Sequence, residues 1–597
     1  MNALRDIWSV LTAQQKRSVL AGQVVALLMA FSTAIGVVSI APFFSVLGDP
    51  QLIERNAILR ELYQYFGYSS TRSFAVALGL GFMVLVLFSN LVNLFGSSAM
   101  HRLAWRIGSE LQAALFAEYM ARPYLFHVRT HSSVLIGNIV METSRATNEI
   151  LYNGLLLVTN LITAVCIIVA MLLIDPAIAV TMVAALIGGY ALIYYRVRNS
   201  LLRCGQAQSE AVIAQTRIVG ESFEAIKEIS VLGIQDFFRA AFERATRTMS
   251  SAVTHTQQVS QSPGHIMECL AAASLVGLAL ALSHGDERGA PWLGKLTFAG
   301  FAVYRLLPAL QQAFASIARL LAARQGFASI VPDLRQARVR KQARRSAAGK
   351  WQKAPQSEIA LRDVSFGYVP ERSPAVSGID LRIAAGSVIG LVGANGSGKT
   401  TLVDLIAGLL VPQSGEVRVD GTVLSEADLE AWRSRIAYVP QHIVLLDSSV
   451  AQNVALGVAP ASIDRKRLHL AAQLSRLDEV VRGLPDGYDH RVGERGVRLS
   501  GGQRQRIGIA RALYTEASVL ILDEATSALD NSTERETMSA VTSLRGRYTI
   551  ILVAHRSSAL PACDSIVELQ NGRITAAGTY EELLGSSERF RRLAGYG

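Results

Sequence analysis

Eight consecutive residues, Gly393-Ala394-Asn395-Gly396-Ser397-Gly398-Lys399-Thr400, read G-x-x-x-x-G-K-T. Glycines at these places let the backbone turn so that successive N–H groups point inward, which suits phosphate oxygens. Lys399 has the reach to meet β- and γ-phosphates, and the Thr400 hydroxyl suits Mg²⁺, with Thr401 continuing the cradle. Val388 to Val392 ahead of the loop reads as a buried strand, and Thr401 to Ala407 after it as an amphipathic helix. A strand, a glycine loop and a helix in that order are what give the motif its meaning, because the helix N-terminus adds a partial positive charge.

Further along, Val519-Leu520-Ile521-Leu522 is an unbroken apolar run, the pattern of a buried parallel strand, and it ends in Asp523-Glu524. Asp523 is placed to hold Mg²⁺, and Glu524 to orient and deprotonate an attacking water. Leu499 precedes Ser500-Gly501-Gly502-Gln503, which opens a helix over 504–514 and makes a second anion cradle. One domain does not need two such cradles. A second copy of the chain can supply this one in trans, so the residues themselves point to a homodimer.

These groups sit on the second half of a chain whose halves differ. The 597 residues have a mean hydropathy of +0.30 and are 50% hydrophobic, with the apolar excess before about residue 323. Six apolar spans are expected near 19–47, 74–98, 155–174, 177–197, 266–283 and 298–323, each close to the roughly 20 residues that cross a bilayer. The net charge of +11 invites a nucleic-acid reading. Arg102, Arg106, Arg122, Arg129, Arg196, Arg198, Arg203, Lys227 and Arg239, however, lie in loops between the spans, as the positive-inside bias expects. No nucleic-acid partner is therefore expected. The even span count puts both termini in the cytoplasm.

The two long cytoplasmic connections, 101–149 and 198–261, keep a helical spacing, with breaks expected at 123–137 and 226–233. Residues 1–17 read as an amphipathic lead-in on the membrane surface, and about 51–66 as one external amphipathic helix. The expected division is a transmembrane domain over 1–335, a basic linker over 336–356 and an α/β nucleotide-binding domain over 357–597. No cleavable signal peptide is expected at the N-terminus. Cys166, Cys204, Cys269 and Cys563 are far apart and form no C-x-x-C, so neither a disulfide framework nor a cysteine metal site is expected.

Together these motifs resemble an ABC transporter of the exporter type, with a six-helix all-α membrane domain fused to a P-loop ABC domain. The resemblance covers essentially the whole chain and implies ATP and Mg²⁺. It implies that Tyr368, in Ser365-Phe366-Gly367-Tyr368, stacks on adenine. Gln441, in Tyr438-Val439-Pro440-Gln441, would sense Mg²⁺ and the membrane domain. Gly493-Glu494-Arg495-Gly496 resembles the X-loop, Ser527-Ala528-Leu529-Asp530 the D-loop, and His555 the switch histidine that contacts the γ-phosphate. The resemblance further implies hydrolysis of ATP and alternating access in a bacterial inner membrane.

The ATPase residues cannot name a cargo, and the membrane half must. Arg305, in Tyr304-Arg305-Leu306-Leu307-Pro308, stands inside the sixth span, where a cation is expensive. Either an acid such as Glu268 pairs with it, or it meets cargo. That run, with Pro263 and Glu268, is similar to bacterial lipid-linked oligosaccharide flippases of the PglK type. The flippase pattern has further arginines where Ser89, Asn90, Gly264 and His265 stand here, and protonated His265 could compensate. A lipid-linked glycan is the expected cargo. The alternatives are export of another lipid, a glycolipid, a peptide or a drug and, more remotely, a non-transport ABC ATPase.

Overall fold

The computed structural model describes residues 2–48, 51–283, 291–343, 354–369, 372–525, 531–554 and 557–594. The chain forms two units: Met1–Arg122 with Thr130–Arg345, and Pro123–Arg129 with Ser346–Gly597.

The first unit is helical, and six of its helices are long and apolar enough to cross a membrane: Ala13–Val38, Thr71–Met120, Ser132–Leu173, Ala179–Glu224, Gln235–Leu280 and Leu296–Arg340. Five of the six are far longer than a bilayer requires. In these helices of 42 to 50 residues the apolar window gives way to polar, charged stretches, so the hydropathy signal marks only part of each rod. The last runs on to Ala343, past the expected start of the linker at 336. The chain turns at the short helices Tyr124–Arg129 and Ile226–Leu232, inside the two expected breaks, and the second ends on Gly233 at φ +66°.

Two surface elements differ from expectation. The lead-in forms the helix Asn2–Val10, but Ala3, Ile7, Val10 and Leu11 are buried in the protein. Arg335 on the last membrane helix reaches Asp6 at 3.5 Å, and Arg338 donates to the Leu11 carbonyl at 3.2 Å. Its apolar face therefore docks on protein, leaving Trp8 40% exposed. The external element is two helices, Leu52–Arg55 and Ala57–Tyr65, because Asn56 accepts from the N–H groups of Ile58 and Leu59 and starts a new helix. Ile53 and Leu59 pack with Val46, Phe74 and Ala75, and Tyr63 meets Phe74 edge-on at 5.3 Å. Leu62 and Phe66 remain exposed.

The second unit is α/β. Strands β1 (Glu358–Phe366), β2 (Val376–Ala384), β4 (Ser414–Val419) and β5 (Thr422–Val423) form an antiparallel sheet in the order β2-β1-β4-β5. The main sheet takes β3 (Val388–Gly393), β6 (Ile436–Val439), β7 (Val519–Asp523), β8 (Thr549–Val553), β9 (Ser565–Gln570) and β10 (Arg573–Gly578) in the order β10-β9-β3-β8-β7-β6. From β9 to β6 it is parallel. Every residue of β3, β7 and β8 is buried, which explains their unbroken apolar runs. The carboxyl ends of β3 and β7, where such sheets bind ligands, carry the glycine loop and the acid pair. None of the four cysteines forms a disulfide among the described residues.

Candidate functional site

The loop between β3 and the helix Lys399–Ile406 is held open by its glycines. Gly393 stands at φ +152° and Gly398 at φ +103°. A side chain on Gly393 would meet the Leu569 carbonyl at 2.4 Å, and one on Gly398 the Ala375 carbonyl at 2.7 Å. Inside the turn, Lys399 is 6% exposed and folds its Nζ back onto the carbonyls of Gly393 (2.8 Å) and Ala394 (3.0 Å). Burial lowers the Lys399 ammonium, and the charges of Glu524 and Asp523 oppose that. The buried Ser397 hydroxyl has no hydrogen-bond partner. An orphaned hydroxyl and a cation bonded only to carbonyls fit a polyphosphate.

Ser397, Gly398 and Lys399 line a cleft of about 450 Å³, together with Asn395, Gly396, Thr400, Thr401, Gln441 and Glu524. Glu524 has φ +51°, a conformation a glutamate rarely adopts, and its N–H donates to the Val553 carbonyl at 3.2 Å. Its carboxylate accepts from Gln441 Nε2 at 2.7 Å. Behind it Asp523 is 8% exposed and accepts from the Tyr438 hydroxyl at 2.9 Å. Thr400, Gln441 and Asp523 offer only oxygen and amide donors, the set a hard divalent cation takes. Tyr368 pairs its hydroxyl with Thr401 Oγ1 at 3.3 Å and packs edge-on to Phe366, at the mouth of the loop.

Ser500, Gly501, Gly502 and Gln503 do not line this cleft. Ser500 caps the helix Gly501–Tyr514 by accepting from the Gln503 N–H, and the Gln503 side chain accepts from the Ser500 N–H. Glu494–Gly496 is a single tight turn. His555 and the run Ser527 to Asp530 lie outside the described residues.

Three features of the site carry no motif signal of their own. Tyr438 was visible only as the lead of the Gln441 run, yet it holds Asp523. Asp404, on the helix after the loop, is 5% exposed, and burial, then the Asp523 charge, pushes its carboxyl up to about 6. The short helix Tyr124–Arg129 belongs to this unit: Leu125 packs on its core, and Arg129 donates to the Tyr368 carbonyl.

In the membrane unit Arg305 is half-buried, its guanidinium 5.8 Å from the centre of the Phe301 ring. No ion pair joins it to Glu268, which is exposed, as is His265. A side chain at Gly264 would meet the end of the Gln311 amide at 2.2 Å, so Gln311 would have to move. Ser89 is buried and its hydroxyl has no partner.

The chain matches two family models, "ABC transporter" over 376–527 and "ABC transporter transmembrane region" over 20–306. An "ATP-dependent lipid A-core flippase" of Saccharophagus degradans is 32% identical over 84% of this chain and 83% of its own length. A "Heterocyst differentiation ATP-binding protein HepA" of Nostoc is 31% identical over 82% of this chain and 79% of its own. A solved bacterial Atm1-family ABC exporter with ATP bound shares the fold, with a TM-score of 0.78 at 21% identity over 98% of both chains.

Proposed function

The chain belongs to the ABC transporter family, a multi-pass membrane protein with a fused ATP-binding domain, and we propose that it flips a lipid-linked oligosaccharide. The carrying observation is Arg305, a half-buried cation on a membrane helix with no pair to Glu268. Leaving a charge there costs several kcal/mol, and an anionic cargo offsets that cost during transport. A diphosphate headgroup suits a guanidinium, which makes two parallel hydrogen bonds to it. The lipid tail stays in the bilayer while the headgroup crosses.

On this reading the termini are cytoplasmic, the membrane is the bacterial inner membrane and two identical chains assemble. Lys399, Ser397 and the loop N–H groups hold the phosphates of ATP. Thr400, Gln441 and Asp523 would hold magnesium, which neutralises charge on the phosphates when bound. Glu524, steered by Gln441, orients the attacking water, and Ser500 to Gln503 of the second copy close the site.

The names of the relatives favour a second reading, a lipid A-core glycolipid. Flipping assays in proteoliposomes separate the two. Arg305→Ala should abolish flipping of a polyprenyl-diphosphate glycan while ATP hydrolysis persists, and Arg305→Lys should restore part of it. Wild-type flipping by Arg305→Ala overturns the reading. Transport of lipid A-core with none of the polyprenyl glycan moves the assignment to the second.

A further inference from the structure

The third membrane helix is irregular. Between Ser132 and Leu173 it contains two π-helical stretches, Gly137–Glu142 and Ala146–Tyr152. Such widened turns carry one extra residue each and concentrate at functional sites. Here they bring Arg145, Asn148 and Glu149 against Gln208, Thr256 and Arg319 from three other long helices. The side chains enclose a cleft of about 290 Å³ inside the membrane unit, close to the lower end of small-ligand sites.

Its polar groups are incompletely paired. Arg145 is 11% exposed and donates through Nη2 to the Ala322 carbonyl at 2.8 Å. Its buried Nη1 makes an ion pair with Glu142 at 3.7 Å but has no hydrogen-bond partner. Arg319 is half-buried beside Tyr152, and among the described residues no acid or carbonyl bonds to it. The one carboxylate in the lining, Glu149, already accepts from Asn148 at 3.0 Å and Asn153 at 3.1 Å. The cleft therefore has two guanidinium groups with free donors and one carboxylate that is already bonded. Arg319 has no acid to meet its charge, which is costly in a half-buried place, and an anion held by Arg319 with the free Nη1 donor of Arg145 beside it removes that cost. Gln208 and Thr256 add neutral partners of the kind that meet sugar hydroxyls. Arg319 follows Arg305 on the same helix by fourteen residues, which places it about 21 Å along the axis, near the same face.

We infer that this cleft is a separate anion station, which takes a sugar-phosphate headgroup before it reaches Arg305. The inference rests on the anionic cargo proposed above. The ligand chemistry is a phosphate next to sugar hydroxyls, and it can arrive on a lipid or free in water.

The test is binding to the full-length protein in nanodiscs without ATP, by thermophoresis. One probe is a short-chain polyprenyl diphosphate N-acetylglucosamine, and the other is N-acetylglucosamine 1-phosphate. Arg319→Ala should weaken binding at least tenfold, Arg319→Lys less, and Gln208→Ala by a few fold. Loss confined to the lipid probe identifies a lipid source, and loss with both probes identifies a site for the headgroup alone. Wild-type affinity in Arg319→Ala and Gln208→Ala overturns the station, and leaves the cargo reading standing if Arg305→Ala still fails to flip. If wild-type protein binds neither probe, the cargo reading falls and the station with it.

Discussion

Asp404 is a carboxylate in the wrong environment, and removing its charge should stabilise the ABC domain. The group is 5% exposed on the helix that follows the phosphate loop. Burial, then the charge of Asp523, raises it from 3.8 to about 6. Its folded value lies above its unfolded one, so the folded state holds the proton more tightly. The stability this brings is complete below about pH 4 and is lost as pH rises through about 6. Above that, the ionised group penalises folding by roughly 3 kcal/mol, since each pKa unit is worth about 1.4 kcal/mol. Asp404→Asn keeps the shape and cannot ionise. For a domain of this size about 1 kcal/mol moves the midpoint by about 2–4 °C, so the variant should unfold about 6–12 °C higher at pH 7.5. The gain should fall by about half at pH 5 and nearly vanish at pH 4. Scanning fluorimetry of nucleotide-free protein across that pH range reads it. An Asn variant no more stable than wild type at pH 7.5, or a gain that does not shrink with acid, refutes the reasoning.

Two further outcomes follow from the cleft. Glu524→Gln keeps the shape that Gln441 contacts at 2.7 Å and removes the base, so ATP should still bind while turnover falls by about a hundredfold or more. Wild-type hydrolysis in that variant removes Glu524 from its assigned role. Mixing Lys399→Ala chains with Ser500→Arg chains should recover part of the ATPase activity that each lacks alone, because one composite site in each mixed pair is intact. No recovery on mixing would rule out completion of the site by a second copy.

The α/β architecture was legible because its signals are local. A buried parallel strand is a short apolar run, and the loop and acid pair sit at its end, so strand, turn and chemistry lie within a dozen residues of one another. The six membrane helices were legible for the same reason, but their ends were not. Hydropathy marks only the lipid-facing part of a rod such as Thr71–Met120, whose remainder is polar. Periodicity also cannot say what an apolar face meets. The faces of Asn2–Val10 and of the helices around Asn56 suited lipid equally well, and the fold buries Ile7, Leu11, Ile53 and Leu59 against protein. Tyr438, Asp404 and Arg129 were missed because their partners are distant in sequence, and only the folded sheet brings Asp523 and Tyr368 to them.

Ser500 to Gln503 show how one short stretch can carry two readings. As a sequence it is glycines and a hydroxyl at a helix start, an anion cradle. In the fold Ser500 and Gln503 bond to each other's backbone N–H, an ordinary capping box. On the proposed two-copy assembly the readings are successive states of the same residues. A cap of this kind is worth about 1 kcal/mol, enough to hold the helix start in one shape without a ligand. Charge-assisted hydrogen bonds to a phosphate are roughly twice as strong as neutral ones, so an arriving phosphate can displace the cap at little cost. The cap fixes the Ser500 and Gln503 N–H groups at the helix start. On that proposed assembly, a phosphate held by Lys399 of one chain would draw Ser500 of the other away from Gln503.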